Sequence, residues 1–378
     1  MIKNIYLVFI SGFILRIFIS IMINTYPEYF YSVASNDAIG FSIKASVLLE
    51  NLSMESIIAT LKWNLYPLLL TFVYYLTFPN IYIGSLFTII IWSISFFVIF
   101  DTLKILKLSN SSKTFALIFY SFFPSLVIFS SVTLRDVFIL LFLNLIFNLI
   151  LRFYFKKYFI FLLLIILSAL FIYLMHENFL ILFFLTLPLF YTIVFFIINI
   201  YNNRVKPIYF FFVLFSLVIF FNIDFLINLS SIYERFNDFQ LGALAHKGKA
   251  SYIDTIFYIR NIYDLIYYLI FSFYKYILSP FIFDLNKIRI IDFVVILENL
   301  MRFMIVFLIL FNLRYLKNKD KFFTTLFIII FFTIELCWSV GTFNWGTAIR
   351  HHVCSIGVLT ILLAYLYDII RKKNEEYS

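Results

Sequence analysis

Apolar runs of about 20 residues recur along the whole chain, and at 1.5 Å per helical residue each matches the ~30 Å hydrocarbon core of a bilayer. No other feature limits the fold so tightly. Composition agrees: hydrophobic residues make up 64% of the chain and charged residues 13%, where a soluble domain has roughly half and a quarter. The expected class is an all-α polytopic membrane protein with a single transmembrane domain over residues 1–378. The net charge of +9 is no nucleic-acid signal, because most of the excess sits in short loops, where it orients the protein.

Ten spans are expected, near 5–24, 82–101, 114–131, 137–152, 159–175, 178–198, 208–222, 290–313, 323–340 and 353–370. The first run lacks a small-residue cleavage site and is interrupted by Arg16, so it reads as a retained span and not a signal peptide. Two shorter apolar segments, 66–78 and 265–274, suit re-entrant or interfacial helices better than crossings. Charge supports that choice. With ten spans, Lys104, Lys107, Lys113, Arg152, Lys156, Lys157, Arg204, Lys206, Arg314, Lys317, Lys319 and Lys321 all fall in cytoplasmic loops, with both termini cytoplasmic as well. If both short segments crossed, the loops from 102 to 207 would carry their cations to the wrong side. Two long extracytoplasmic loops result, about 25–81 and 223–289. The second is rich in tyrosine, which favours the headgroup region. Cys337 and Cys354 are the only cysteines, and buried free thiols are expected rather than a bridge.

On this topology the polar side chains crowd one face. Asp37 follows span one, Arg135 and Asp136 occupy the turn after span three, and His176 and Glu177 the turn after span five. Arg235 and His246 lie in the second long loop, and Arg350, His351 and His352 close the last outer turn. All four histidines are on this side. Such a set suits an anionic lipid headgroup. Arginine clamps phosphate oxygens bidentately, and Asp37, Asp136 or His176 is placed for proton transfer from an acceptor hydroxyl. Arg135, Arg235, His246, Arg350, His351 and His352 are the substrate-binding candidates. Each has a plainer reading: Arg135 and Asp136 as a helix-capping turn, Asp37 as a loop aspartate, Arg235 and His246 as solubilising charge. Within the spans, Glu298 and Arg302 at i,i+4 should neutralise each other, and Arg16 should snorkel or pair with an acid such as Glu335. No nucleotide-binding motif is present and no cofactor is expected. Asp37, His176 and Glu177 could give hard ligands to a divalent metal, although no ligand spacing is visible.

Three short motifs carry a resemblance. Ser35-Asn36-Asp37-Ala38 with Phe41 and Ala45 is similar to the early-loop aspartate motif of the GT-C superfamily of polytopic glycosyltransferases. Pro124-Ser125 through Ser130-Ser131 and on to Arg135-Asp136 is similar to their second outer-loop motif. Asn344, Gly346-Thr347 and Arg350 resemble the final motif of the polymerase-like members. Within that group the chain looks most like a Wzy-type polymerase of O-antigen or capsular polysaccharide. There are departures: Asp37 is a single acid rather than a pair, and Arg235 is followed eleven residues later by His246 instead of glycine.

The resemblance implies a GT-C-like fold in a bacterial inner membrane and an extracytoplasmic site built on Asp37, Arg135, Asp136 and Arg350. It also implies an undecaprenyl-diphosphate-linked glycan as substrate, with the bilayer and a chain-length-regulating membrane protein as partners. The expected function is polymerisation of lipid-linked repeat units. A GT-C transferase using a polyprenyl-phosphate sugar, and a lipid-linked oligosaccharide flippase, remain the alternatives. The crowding of charge on one face and the absence of paired halves favour an enzyme over a transporter.

Overall fold

The structure, a computed structural model, describes residues 2–27, 36–61, 64–176, 179, 183, 229–245, 251, 256–280, 290–316 and 318–377. Among them the regular elements are helices, and the sole β pairing is an isolated bridge between Ser251 and Asn344. Among the described residues six helices are long and apolar enough to cross a membrane: Lys3–Thr25, Ile81–Ile105, Asp136–Lys156, Asp292–Tyr315, Asp320–Ser339 and Trp345–Lys372. The protein is therefore an all-α, multi-pass membrane protein.

Most of the expected spans fall on these helices. Residues 159–175 form a helix with those same bounds, though at 17 residues it is shorter than the six. The spans expected at 178–198 and 208–222 lie outside the described residues. The segment 114–131 is not one continuous span. It is two helices, Asn110–Phe122 and Pro124–Phe129, separated by Phe123 in an extended conformation. Proline lacks the N–H that would continue the ladder, and it drives the residue before it out of the α region.

The chain divides into two compact units, one of Met1–Leu180, Met304–Thr324 and Arg350–Ser378, the other of Ile181–Phe303 and Thr325–Ile349. In the first unit, α1 is Ile2–Thr25, α2 Asn36–Glu50, α3 Met54–Leu61, α4 Leu65–Leu76 and α5 Ile81–Ile105. There follow α6 (Asn110–Phe122), α7 (Pro124–Phe129), α8 (Asp136–Lys156) and α9 (Phe159–Met175). Helices α5 and α8 run parallel. Thr133, just before α8, lies beside Ser85, Asn144 donates to Ser95 and Asn148 to Thr102, so contacts advance together along both helices. The final helix of the chain packs against α6 in the opposite direction, with Asp368 accepting from Ser109 N and Ser112 Oγ at the start of α6. By contrast α1 is peripheral: Leu7, Ile10, Ile14, Phe18 and Ile21 form an exposed stripe at helical spacing, as a lipid-facing surface requires.

Helix direction gathers one set of ends together. The end of α1 meets the start of α5 through Asn24–Ser85 and Thr25–Tyr82, and the starts of α5 and α8 adjoin. At the other end lie Lys104, Lys107, Arg152, Lys156 and Lys157, with Arg152 paired to Asp101 at 2.5 Å. At only 12 residues, α4 spans about 18 Å and is too short to cross, in keeping with the interfacial helix expected at 66–78. It packs on α2, where Ala45, Leu70 and Tyr74 form a buried cluster. Ile43 and Val47 on the opposite side of α2 stay more than half exposed, at 58% and 52%, so the helix has apolar surface on two sides.

Arg16 departs from expectation. It is fully buried and does not snorkel. Its Nη1 donates to the carbonyls of Gly12 and Ser121, both at 2.9 Å, and its Nε to Ser130 Oγ at 2.7 Å. The guanidinium carbon lies 3.5 Å from the centroid of the Trp92 ring. Ser121 is in the last turn of α6 and Ser130 is the C-cap of α7. The break at Pro124 gives two helix C-termini, where backbone carbonyls present partial negative charge, and Arg16 serves both.

In the second unit, α10 is Leu229–Ala245, α11 Ile262–Leu278, α12 Ile290–Asn312 and α13 Asn318–Ser339, with α12 and α13 each extending into the first unit. Asn237 and Gln240, one turn apart on α10, pair side-chain amides with the backbones of Ile259 and Phe257 at 2.9–3.0 Å. They fix the backbone of residues 257–259 against α10. Tyr268 donates to Val340 O at 3.1 Å, and Trp345 Nε1 to Asp292 Oδ1 at 3.0 Å. Glu298 and Arg302 form the expected buried pair at 2.9 Å. Cys337 and Cys354 are both buried free thiols, as expected.

Candidate functional site

The first unit carries a cluster of charge where its helix ends gather. Three local features build it. The turn from Ser130 to Arg135 joins α7 to α8, and Asp136 is the first residue of α8, where an acidic side chain is favoured by the exposed N–H groups. This turn sits tightly on α5. A Cβ at Gly84 would be 2.7 Å from Thr133 Oγ1, so only glycine permits the approach. Asp37 lies in the first turn of α2. Arg350 and His351 end the short helix α14 (Trp345–His351), which tightens through a 3-10 turn, His352–Ser355, into α15 (Ile356–Tyr377).

Arg350 is the hub. Its Nη1 donates to Asp37 Oδ2, its Nε lies 3.5 Å from Asp136 Oδ2, and its Nη2 lies 3.4 Å from His351 Nε2. Arginine has no acceptor, so a bond to His351 requires that Nε2 be the unprotonated ring nitrogen. The two carboxylates are not equivalent. The Asp37 side chain is 54% exposed and that of Asp136 1%, so the cluster opens to its surroundings on the Asp37 side.

Arg135 braces the same region. Its Nη1 donates to Met175 O at the end of α9 at 3.2 Å, and its guanidinium stands 5.9 Å from the Phe41 ring of α2. Burial pulls Arg135 below the usual arginine range, Asp136 opposes this, and Arg350 adds to it. His176 caps the C-terminus of α9, where Nδ1 accepts from Phe179 N at 3.3 Å. Burial, and then the nearby Arg135 and Arg350, push its pKa down to about 3. A histidine with so low a pKa stays neutral at physiological pH and is a weak base. His352 is buried at the start of the 3-10 turn, and its carbonyl accepts from Ser355 Oγ at 2.9 Å.

Of the residues expected from sequence, Asp37, Arg135, Asp136, Arg350 and His351 come together, with His176 against Arg135. The side chain of Arg235, on α10, and the whole of His246 and Glu177 lie outside the described residues. Several participants carried no sequence signal strong enough to single them out. Met175 acts through its carbonyl, which no side-chain pattern can reveal. Tyr66 is fully buried, with its ring edge-on to Phe41 and Phe138, and burial raises its hydroxyl pKa. Cys354 Sγ approaches Asp136 O at 3.8 Å. Its i+4 spacing from Arg350 could have placed it on the site face. Two arginines and two aspartates balance in formal charge, so the cluster can persist in a low-dielectric setting and still present cationic N–H groups to an anion. In comparisons with known proteins, no protein-family model, curated protein or solved structure matches the chain.

Proposed function

We propose that the protein is a membrane glycosyltransferase acting on a polyprenyl-diphosphate-linked glycan. Specifically, it would be a polymerase that joins undecaprenyl-diphosphate-linked repeat units of a surface polysaccharide on the outer face of a bacterial inner membrane. One observation carries the reading: Arg350 stands between an exposed and a buried carboxylate, braced by Arg135, at the helix ends opposite the lysine-rich ones. The lysine-rich ends fit the cytoplasmic side by the positive-inside rule, which supports cytoplasmic termini and an extracytoplasmic site.

In this reading Arg350 and Arg135 take the diphosphate oxygens. Asp37, the exposed carboxylate, takes the acceptor proton in preference to His176, whose low pKa makes it a poor base. His176 and His351 serve as neutral hydrogen-bonding groups. The lipid tail would lie along the apolar helix surfaces of the same unit.

The test is deletion of the gene in the native host, with separation of surface glycolipids on a gel, and complementation by native and Arg350→Ala protein. A polymerase predicts loss of the long ladder with a single repeat unit retained, restored by native protein and not by Arg350→Ala. Loss of even the single unit would point instead to a flippase or an earlier transferase. A complete ladder merely shifted in mobility would mean a side-sugar transferase.

A further inference from the structure

We infer that the Asp37–Arg350 ion pair is a ligand-operated latch: a diphosphate that takes Arg350 displaces Asp37, and so frees the carboxylate that must accept the proton. The inference rests on the proposed role of Arg350 as a phosphate clamp.

All three guanidinium nitrogens of Arg350 face protein groups, namely Asp37, His351 and Asp136. An anion that grips two of these nitrogens in parallel therefore competes with at least one of these groups. Asp136 and His351 are fixed: both are buried, on α8 and on the helix of Arg350 itself. Asp37 is the exposed partner, on the open side, in the first turn of α2. A displaced Asp37 keeps a favourable position, because the N–H groups at the start of α2 accommodate a carboxylate. While Arg350 holds it, the Oδ2 that would accept the proton is occupied. Donor binding thus precedes base activation.

The chemistry balances. The acceptor hydroxyl oxygen forms the new bond to the anomeric carbon as the bond from that carbon to the diphosphate oxygen breaks. The hydroxyl proton passes to Asp37, and the electron pair of the broken bond leaves on the diphosphate, whose charge Arg350 and Arg135 hold.

The test follows α2 directly. At Gly40 a Cβ would meet nothing within 4 Å, so Gly40→Cys accepts an environment-sensitive fluorophore, and Cys337 and Cys354 are buried. The full-length labelled protein in phosphatidylcholine nanodiscs is titrated with inorganic pyrophosphate and, separately, with farnesyl diphosphate. The latch predicts a reporter change on diphosphate binding that is already present, without ligand, in Asp37→Asn. It also predicts about fivefold tighter binding in Asp37→Asn, the usual scale for removing one partly exposed ion pair. Glu50→Gln, at the far end of α2, controls for simple loss of negative charge and should leave the affinity unchanged. A response to farnesyl diphosphate alone identifies a lipid-linked ligand, and an equal response to pyrophosphate a free anion; the latch stands in both cases. Binding with a silent reporter, or Asp37→Asn binding no tighter than Glu50→Gln, overturns the latch and leaves the proposed function intact. Failure of the native protein to bind either probe overturns the phosphate-clamp reading and the latch with it.

Discussion

Replacing Gly357 with alanine should destabilise the protein, although alanine is the better helix former. Gly357 lies where α15 crosses α8, and a Cβ there would stand 1.9 Å from Asn144 Oδ1 and 2.7 Å from its Cγ. Asn144 is not free to swing away. Its Nδ2 donates to Ser95 Oγ at 2.9 Å and to Tyr120 Oη at 3.4 Å, and Ser95 and Tyr120 are themselves hydrogen-bonded at 2.7 Å. Displacing it forfeits two hydrogen bonds at about 0.6 kcal/mol each in a membrane interior. Overpacking adds ~1–3 kcal/mol, and the gain in helix propensity returns about 1 kcal/mol. The net cost is about 1–3 kcal/mol. Titrating SDS into mild-detergent micelles and following tryptophan fluorescence measures it. In an Asn144→Ala background the clash disappears, so Gly357→Ala should there be neutral or stabilising by up to ~1 kcal/mol. An equal cost in both backgrounds, or no cost in either, refutes the close-approach argument.

Three further outcomes follow from the geometry. Gly84→Ala pushes a methyl into Thr133 and shifts the turn that carries Arg135 and Asp136; the proposed glycan transfer should fall by about tenfold or more, with a smaller change in unfolding midpoint. Arg16→Lys cannot reproduce the fork onto Gly12, Ser121 and Ser130 and should cost about 2 kcal/mol in the same SDS titration. Because the pKa of His176 falls to about 3 on folding, the unfolded chain binds the extra proton between pH ~6.5 and ~3. Stability is therefore complete above pH ~6.5 and declines as the pH falls toward 3. Unfolding midpoints at pH 7 and pH 4.5 should drop less in His176→Gln than in the native protein.

How much of this was legible in the sequence depends on the range of the signal. Hydropathy is local and strong, so the helix at 159–175 and most of the long helices could be read directly. Pro124 was equally visible, yet the run around it is apolar enough to hide the break, and the hydrophobic pattern for one long span prevailed. The site's members were legible because charge is costly in hydrocarbon and therefore stands out. Their pairing was not. Asp37 and Arg350 are 313 positions apart, and only the fold of the first unit brings them together. Arg16 shows the same limit: the cost of its charge suggested a carboxylate partner, whereas the fold offers backbone carbonyls that no residue pattern announces.

That substitution of helix ends for counterions recurs through the first unit. Arg16 meets the C-termini of α6 and α7, Arg135 meets the last carbonyl of α9, and Asp37 and Asp136 occupy the first turns of α2 and α8. Each charge lies at a terminus of the favourable sign. Such termini supply fixed partial charge without a titratable group, so they stabilise the ionised side chains over a wide pH range and cannot be drawn away by a ligand. Asp37 and Asp136 also share Arg350 as a side-chain partner, and of the two only Asp37 is exposed. It is the member of the cluster that can change partners while remaining compensated, and this follows from where the chain breaks its helices rather than from the identity of the charges alone.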